Sequence, residues 1–352
     1  MDRISLPRQL GCYKEECGNA RPDSFFPFFR PMPQQIEAIL KVVYFMSDLH
    51  SQAVHIDCFL NLALVRKCAI LYSMTVQSGK KLNWLERELP EGLLVDAAWL
   101  EAHGYSRSLR SQYVAAGWLE QPTRGVFRRS RGSLSWEQVV ISLQAVLHFP
   151  VSVGGRTALD LQGYAHYLSQ SPQLVQIYGD KQLPGWVTKL PAGPNFEFHN
   201  RTRFLPKIEQ QTDKPSISAS VTDESESIQP GALRIMRWGQ WDWPLLISTP
   251  ERAILELIDQ LPNKETFHLV DVTMEGLVNI SPRRMQQLLE VATSIKVKRL
   301  FFFFADRHRH RWLDHIVRDK IDLGKGKRML VKGGKFDPKY NITVPGDLNA
   351  VQ

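Results

Sequence analysis

Past residue 68 the chain has no cysteine. Its four thiols, Cys12, Cys17, Cys58 and Cys68, lie near the N-terminus, and none belongs to a CxxC pair, the short spacing that zinc sites favour. A disulfide framework is out of keeping with 352 residues, a length that buries cores without cross-links. Long uncharged apolar runs are missing too. The most apolar early stretch, Ala53–Tyr72, carries Asp57, Arg66 and Lys67, charges that a bilayer-spanning helix avoids. The N-terminus is polar and interrupted by proline, unlike a secretory leader. DLGKGKR, at 322–328, has the glycines and lysines of a phosphate loop but not the GxxxxGK[ST] spacing. No Ser/His/Asp set or acid pair stands out at a telling spacing, which argues weakly against an enzyme. These absences point to a cytoplasmic, non-enzymatic protein with no membrane span, no metal and no cofactor.

Basic side chains are plentiful. Lys and Arg number 44 against 36 acids, a formal charge of +8. Their placement says more than the total. From Ser106 to Arg131 six arginines face one acid, Glu120; from Lys296 to Lys339 fourteen Lys and Arg face five Asp. Two local basic surfaces suggest two polyanionic or acidic partners.

The first 73 residues read differently from the rest. They hold every cysteine and the cluster SFFPFFRPMP, without capping or turn signals. Two readings stay open: Met74 is the biological start and the upstream stretch an over-extended reading frame, which fits better, or the stretch is a small helical appendage. From Leu82 the grammar becomes regular. Leu82, Leu85 and Leu89 share one helical face, and Pro90-Glu91-Gly92 ends that helix. Asp96 sits at the start of a second helix, DAAWLEAH, closed by Gly104. Ser106 is a natural N-cap for a third, Arg107–Ala116, ended by Gly117. WLEQPTRGVFRR then reads as two short extended pieces around a turn at QPTRG. SWEQVVISLQAVLHF (Ser135–Phe149) predicts an amphipathic helix. QLVQIYG and NFEFHN predict strands, and GGRTALDLQG a loop followed by a helix. Ser-rich Lys207–Gly231 predicts a long loop. STPERAILELIDQLP carries a capping box, Ser248 with Glu251, and Pro250 in the first turn. SPRRMQQLLEVATSI repeats that opening. RLFFFFA predicts a buried strand, and RMLVKGGKFDPKYNITVP a hairpin turning at Gly333-Gly334.

Three helices, a tight turn between the second and third, and a basic two-stranded ribbon follow the grammar of a winged helix-turn-helix. At 100° per residue, Leu109, Tyr113 and Ala116 fall on a core side. Arg107, Arg110, Ser111 and Val114 fall opposite, so a groove-facing surface carries two arginines suited to guanine. Ser106 begins that helix. Arg124 at the ribbon tip, with Arg128, Arg129 and Arg131 on or beyond its return strand, suits phosphates or a minor groove. The competing reading is a winged helix for protein contacts whose arginines are a solvated face. The expected fold class is α+β: an N-terminal extension (1–79), a winged helix-turn-helix DNA-binding domain (80–134), and a larger mixed α/β domain (135–352).

The stretch from Leu82 to Arg129, then VSVGGRTALDLQGYAHYL, then KRMLVKGGKFDPKYNITVP, in that order, resembles the AbiEi antitoxin family of type IV toxin–antitoxin systems. The resemblance spans about Lys80 to Pro345. It implies a winged-helix domain that represses its own operon by binding operator DNA. It also implies a C-terminal antitoxin domain that counteracts a nucleotidyltransferase toxin without a stable complex. Lys325, Lys327, Arg328, Lys332 and Lys335 are the candidate antitoxin surface.

Two weaker signals remain. His308, His310 and His315 lie close in sequence, but the intervening arginines oppose a metal ion. Gly154-Gly155 precede a helix whose N-terminus is able to hold an anion, or they form a tight turn that packing requires. The anion reading supports a rival function, a nucleotide- or nucleic-acid-modifying enzyme with Gly154–Arg156 and the C-terminal lysines at its phosphate site. A ligand-sensing transcription factor is the third reading.

Overall fold

The computed structural model describes residues 81–129, 132–164, 174–191, 195–203, 205 and 231–350. All four cysteines, the Met74 region, Arg131 and nearly all of the Ser-rich stretch lie outside the described residues. The described residues all belong to one compact unit.

That unit begins with helix α1, residues 81–88, whose Leu85 and Leu89 are buried. Strand β1 (Leu94–Asp96) follows. It escaped prediction because three residues between a glycine turn and a helix cap carry no readable alternation. Helix α2 is Ala97–Ala102, with Asp96 Oδ1 accepting from Trp99 N at 2.7 Å, as its sequence predicted. Helix α3 is Arg107–Ala115, with Ser106 Oγ accepting from Leu109 N. Strands β2 (Glu120–Thr123) and β3 (Val126–Arg128) form the predicted ribbon. β1 pairs with β3 to complete a three-stranded sheet of order β1-β3-β2.

The next segment is helix α4 (Trp136–Ile141), opened by a capping box between Ser135 and Gln138 and continued by a π-helical stretch, Ser142–Val146. It is not the expected amphipathic helix, since Trp136, Glu137 and Val139 through Val146 are all buried. Its polar side chains take on backbone work. Ser142 Oγ accepts from Leu94 N at 2.8 Å. Gln144 donates to the carbonyls of Val151 and Leu246 and accepts from Leu246 N, standing in for a peptide unit between strands.

Those strands belong to a five-stranded mixed sheet. β4 (Val151–Val153) leads into helix α5 (Gly155–Leu161), and β5 (Leu174–Gly179) and β6 (Asn195–Asn200) follow. β7 (Leu233–Trp238) and β8 (Trp243–Ser248) complete it, in the order β6-β5-β4-β8-β7. One buried cluster joins Leu85, Leu94, Leu100 and Phe127 to Trp136, Val140, Val153, Ile177 and Ile247. The domain division expected at 134/135 therefore runs through a continuous core.

Four helices build a second core: α6 (Pro250–Asp259), α7 (Phe267–Gly276), α8 (Pro282–Val291) and α9 (Ile295–His308). RLFFFFA lies in α9 and is not a strand. Phe301 through Phe304 point to all sides of that helix and all are buried, so no period survives to tell helix from strand. The expected Ser248–Glu251 capping box is absent. Thr249 occupies the N-cap without a side-chain bond, Ser248 Oγ donates to Glu256, and Glu251 accepts from Ser281 N and Arg284. At α8 the repeat of that grammar holds, with Ser281 capping Arg284 N and Pro282 first. The chain closes on a small sheet of β9 (Arg328–Met329), β10 (Lys335–Asp337) and β11 (Ile342–Val344), in the order β10-β11-β9. β11 runs antiparallel to β10 and parallel to β9. The hairpin therefore joins β10 to β11 through 338–341, not across Gly333-Gly334.

Candidate nucleic-acid interface

Helix α3 and the β2–β3 ribbon border a cleft of about 490 Å³. Arg107, Ser111, Gln121, Arg124 and Arg110 line it, with Val114 and Phe127 on its apolar side. The ribbon turn is held in place: Gly125 takes φ +79°, open to glycine at little cost, and its carbonyl accepts from Ala97 N at 2.8 Å. Arg124 is thereby fixed at the tip, exposed. Arg107 is exposed in the first turn of α3, and Ser111 Oγ donates back to its carbonyl.

The face of α3 is turned relative to expectation. Arg110 and Tyr113 are buried and Leu109 and Val114 pack against the core, while Ala116 is exposed. The solvent face is Arg107, Ser108, Ser111, Gln112 and Ala115. Arg110 was expected to point outward. Its Nη1 instead donates to the carbonyls of Ala97 and Tyr105 at 2.9 and 3.1 Å. A long side chain on a partly apolar face folds inward when backbone acceptors wait there, which a helical wheel does not register. Tyr105, stacked edge-on against Tyr113, is pushed up to about 12 by burial and the neighbouring Tyr113.

Two ribbon arginines are also committed inward. Arg128, 5 % exposed, pairs with Glu120 and donates to Gly132 O, clipping the strands together. Arg129 donates to the carbonyls of Glu86 and Leu89 and pairs with Glu91, closing the C-terminal end of α1. Of the seven residues expected at DNA, Ser106, Arg107, Ser111 and Arg124 remain on the open surface. Gln121, Ser108 and Gln112 join them. Gln121 was legible in principle, since alternation along β2 turns it away from Glu120, whose carboxylate pairs with Arg128.

The second basic set lies on and around the small C-terminal sheet, where Lys325, Lys327, Arg328, Lys332 and Lys335 are all exposed. Among the described residues, no carboxylate pairs with any of the five side chains. They share one lobe; Ser106, Arg107, Ser111 and Arg124 share another.

The glycine turn before α5 is filled by the protein itself. Gly155 N donates to Glu256 Oε2 and Arg156 N to Gln176 Oε1, each at 2.8 Å. A Cβ on Gly154 would collide with Glu256 and Tyr178. Packing therefore requires these glycines, and the helix N-terminus already holds a carboxylate. Nearby, a cleft of about 440 Å³ is lined by Arg156, Asp160, Lys264 and Glu265 among others. Burial raises Asp160 and Glu265 against the pull of Arg156. His308 and His310 serve structure: His308 Nε2 meets Asp271, and His310 Nε2 meets the Met274 carbonyl. Among the described residues no helix is long and apolar enough to cross a membrane.

Family models match this arrangement along most of its length. One, described as the AbiEi antitoxin N-terminal domain of a transcriptional regulator, covers 78–170. Another, described as a transcriptional regulator and AbiEi antitoxin of a type IV toxin–antitoxin system, covers 172–345. The chain belongs to the AbiEi antitoxin family. Among curated proteins no relative matches it. Among solved structures it is similar to the RV2827C protein from Mycobacterium tuberculosis, at 14 % identity and a TM-score of 0.46, over 75 % of this chain and 90 % of that one. The junction of the two family models falls after α5, well beyond the expected 134/135 division.

Proposed function

We propose that this AbiEi protein is a cytoplasmic, non-enzymatic antitoxin and autorepressor. Residues 81–129 act as a winged helix-turn-helix: α3 enters the major groove of operator DNA and the β2–β3 ribbon grips the adjoining backbone. The C-terminal lobe, through Lys325, Lys327, Arg328, Lys332 and Lys335, counteracts a nucleotidyltransferase toxin. The observation that carries the DNA half is the cleft between α3 and the ribbon, which sets Arg107 and Arg124 on its two banks. That arrangement would suit one cation to base edges and the other to phosphate.

The test is titration of the full-length protein against duplex DNA from its own promoter and a scrambled duplex. Tight, sequence-dependent binding that weakens in Arg107→Ala supports the reading. Equal, weak binding to both duplexes by the unaltered protein sinks it. For the antitoxin half, co-expression with the toxin encoded beside it should restore colony growth. The quintuple neutralisation of the C-terminal cations should reduce that rescue while leaving the fold intact, because exposed charges carry little stability.

A further inference from the structure

The outer face of the C-terminal sheet combines cations with exposed apolar side chains. Register places Met329 and Phe336 on either side of Thr343. Ile342 and Val344 are fully buried, so Thr343 and its two cross-strand partners share the opposite, outward face. Met329 is 74 % and Phe336 37 % exposed. Lys327 Nζ lies 5.0 Å from the centre of the Phe336 ring. From Lys325 to Lys335 there are five cations and no acid.

The platform is built rigidly from beneath. Arg299 is buried and donates to the carbonyls of Leu323, Gly324, Gly326 and Asn341. One guanidinium thus ties the loop bearing Lys325 to the strand bearing Thr343. Asp322, at the start of that loop, is turned to its own backbone, accepting from Gly324 N.

We infer that this face binds single-stranded RNA, with the lysines and Arg328 neutralising phosphates and Phe336 stacking an unpaired base. Charge alone would suit a duplex. A duplex keeps its bases stacked inside and has no use for an exposed ring, whereas unpaired bases stack on aromatic side chains beside basic grooves. In the cell such bases belong mostly to RNA loops and ends. An acidic protein surface would answer the charge but not the Met329–Thr343–Phe336 row. The inference deepens the antitoxin reading, on which it rests for its purpose: the lobe would act on RNA rather than grip the toxin.

Full-length protein is titrated with a fluorescein-labelled oligouridylate RNA, read by anisotropy at several salt concentrations. Phe336→Ala is expected to weaken binding by roughly fivefold or more, and Phe336→Tyr to keep it. Lys327→Gln lowers the slope of log K against log salt by about 0.7. Arg107→Ala and Arg124→Ala leave RNA binding unchanged, and thermal melting confirms that every variant is folded. Equal binding by Phe336→Ala and the unaltered protein overturns the inference. So does loss of RNA binding in Arg107→Ala, or capture of purified toxin that depends on the five cations while RNA does not bind. Rescue in cells separates the two readings. If the cation variants lose rescue and the unaltered protein binds no RNA, the RNA inference fails and the antitoxin surface stands. If Phe336→Ala loses RNA binding but rescues fully, RNA binding stands and its antitoxin role fails.

Discussion

Arg110 donates to the carbonyl of Ala97 at 2.9 Å, pinning the third helix to the first turn of the second. An arginine on the helix expected to read DNA is therefore a strut. Arg110→Ala should lower stability by about 1–3 kcal/mol, because the Ala97 and Tyr105 carbonyls lose a charged donor. Arg107→Ala, by contrast, should leave the melting temperature unchanged and weaken specific DNA binding by about 1–3 kcal/mol. Paired thermal melts and binding curves check this. A stable Arg110→Ala protein with selectively lost operator binding would return Arg110 to the interface.

The ribbon arginines should divide in the same way. Arg124→Ala lowers the salt slope of duplex binding by about 0.9 without altering stability. Arg128→Ala removes the Glu120 clip and should show as a lower melting temperature, which Glu120→Gln reproduces in part. A salt slope equally reduced in both arginine variants, with equal melting temperatures, would place Arg128 at phosphate after all.

Glu256 is fully buried and accepts from Gly155 N, Ser248 Oγ and Arg252 Nε. Glu256→Gln leaves Arg252 uncompensated and should cost roughly 3–5 kcal/mol. Phosphate should not protect the unaltered protein against heat through this turn, since its anion position is taken. Phosphate-dependent stabilisation abolished by substitution at Arg156 would revive the enzyme reading.

Acid should loosen the helical core. Burial alone would raise Asp271, but hydrogen bonds from His308 and Arg307 outweigh it and hold the carboxyl at about 2. Asp306 is likewise raised by burial yet brought to about 2 by Arg318, Lys339 and Tyr340. Both folded values lie below the 3.8 of an ordinary aspartate carboxyl. Each group therefore contributes stability above pH 4 that disappears as pH falls toward 2. Urea midpoints measured across that window should fall, and fall less steeply in Asp271→Asn and Asp306→Asn. A flat profile in the unaltered protein contradicts this.

A fragment beginning at Ser135 should fail to fold. It uncovers α4 and the sheet face beneath, where each apolar side chain is worth about 1.5–3 kcal/mol when buried, against total domain stabilities of about 5–15 kcal/mol. A fragment beginning at Gly79 keeps the whole cluster. Circular dichroism with limited proteolysis distinguishes them, and a cooperative melt from the shorter piece would show that the core divides after all.

Local signals in the sequence served well where one residue does one local job. Asp96, Ser106 and Ser281 cap the helices they were expected to cap, and Gly125 makes the ribbon turn. What stayed hidden depended on partners distant in sequence. Nothing near Arg110, Arg128 or Arg129 says that carbonyls or acids await them. The four phenylalanines of α9 are buried on every side, which erases the pattern that separates helix from strand. Gln144 looks like an ordinary polar residue, yet it bridges two strands whose sequence positions are far apart.

That glutamine also bears on how this chain can be recombined. By clasping Val151 and Leu246 from a segment that also covers Leu94, it makes residues 81–129 and the central sheet a single casting. Chimeras that exchange the α3–ribbon region between relatives should carry the whole central sheet, β4 through β8, with it, because Gln144 holds a strand on each side of residue 170. A graft cut at the ribbon would leave an unmatched seam.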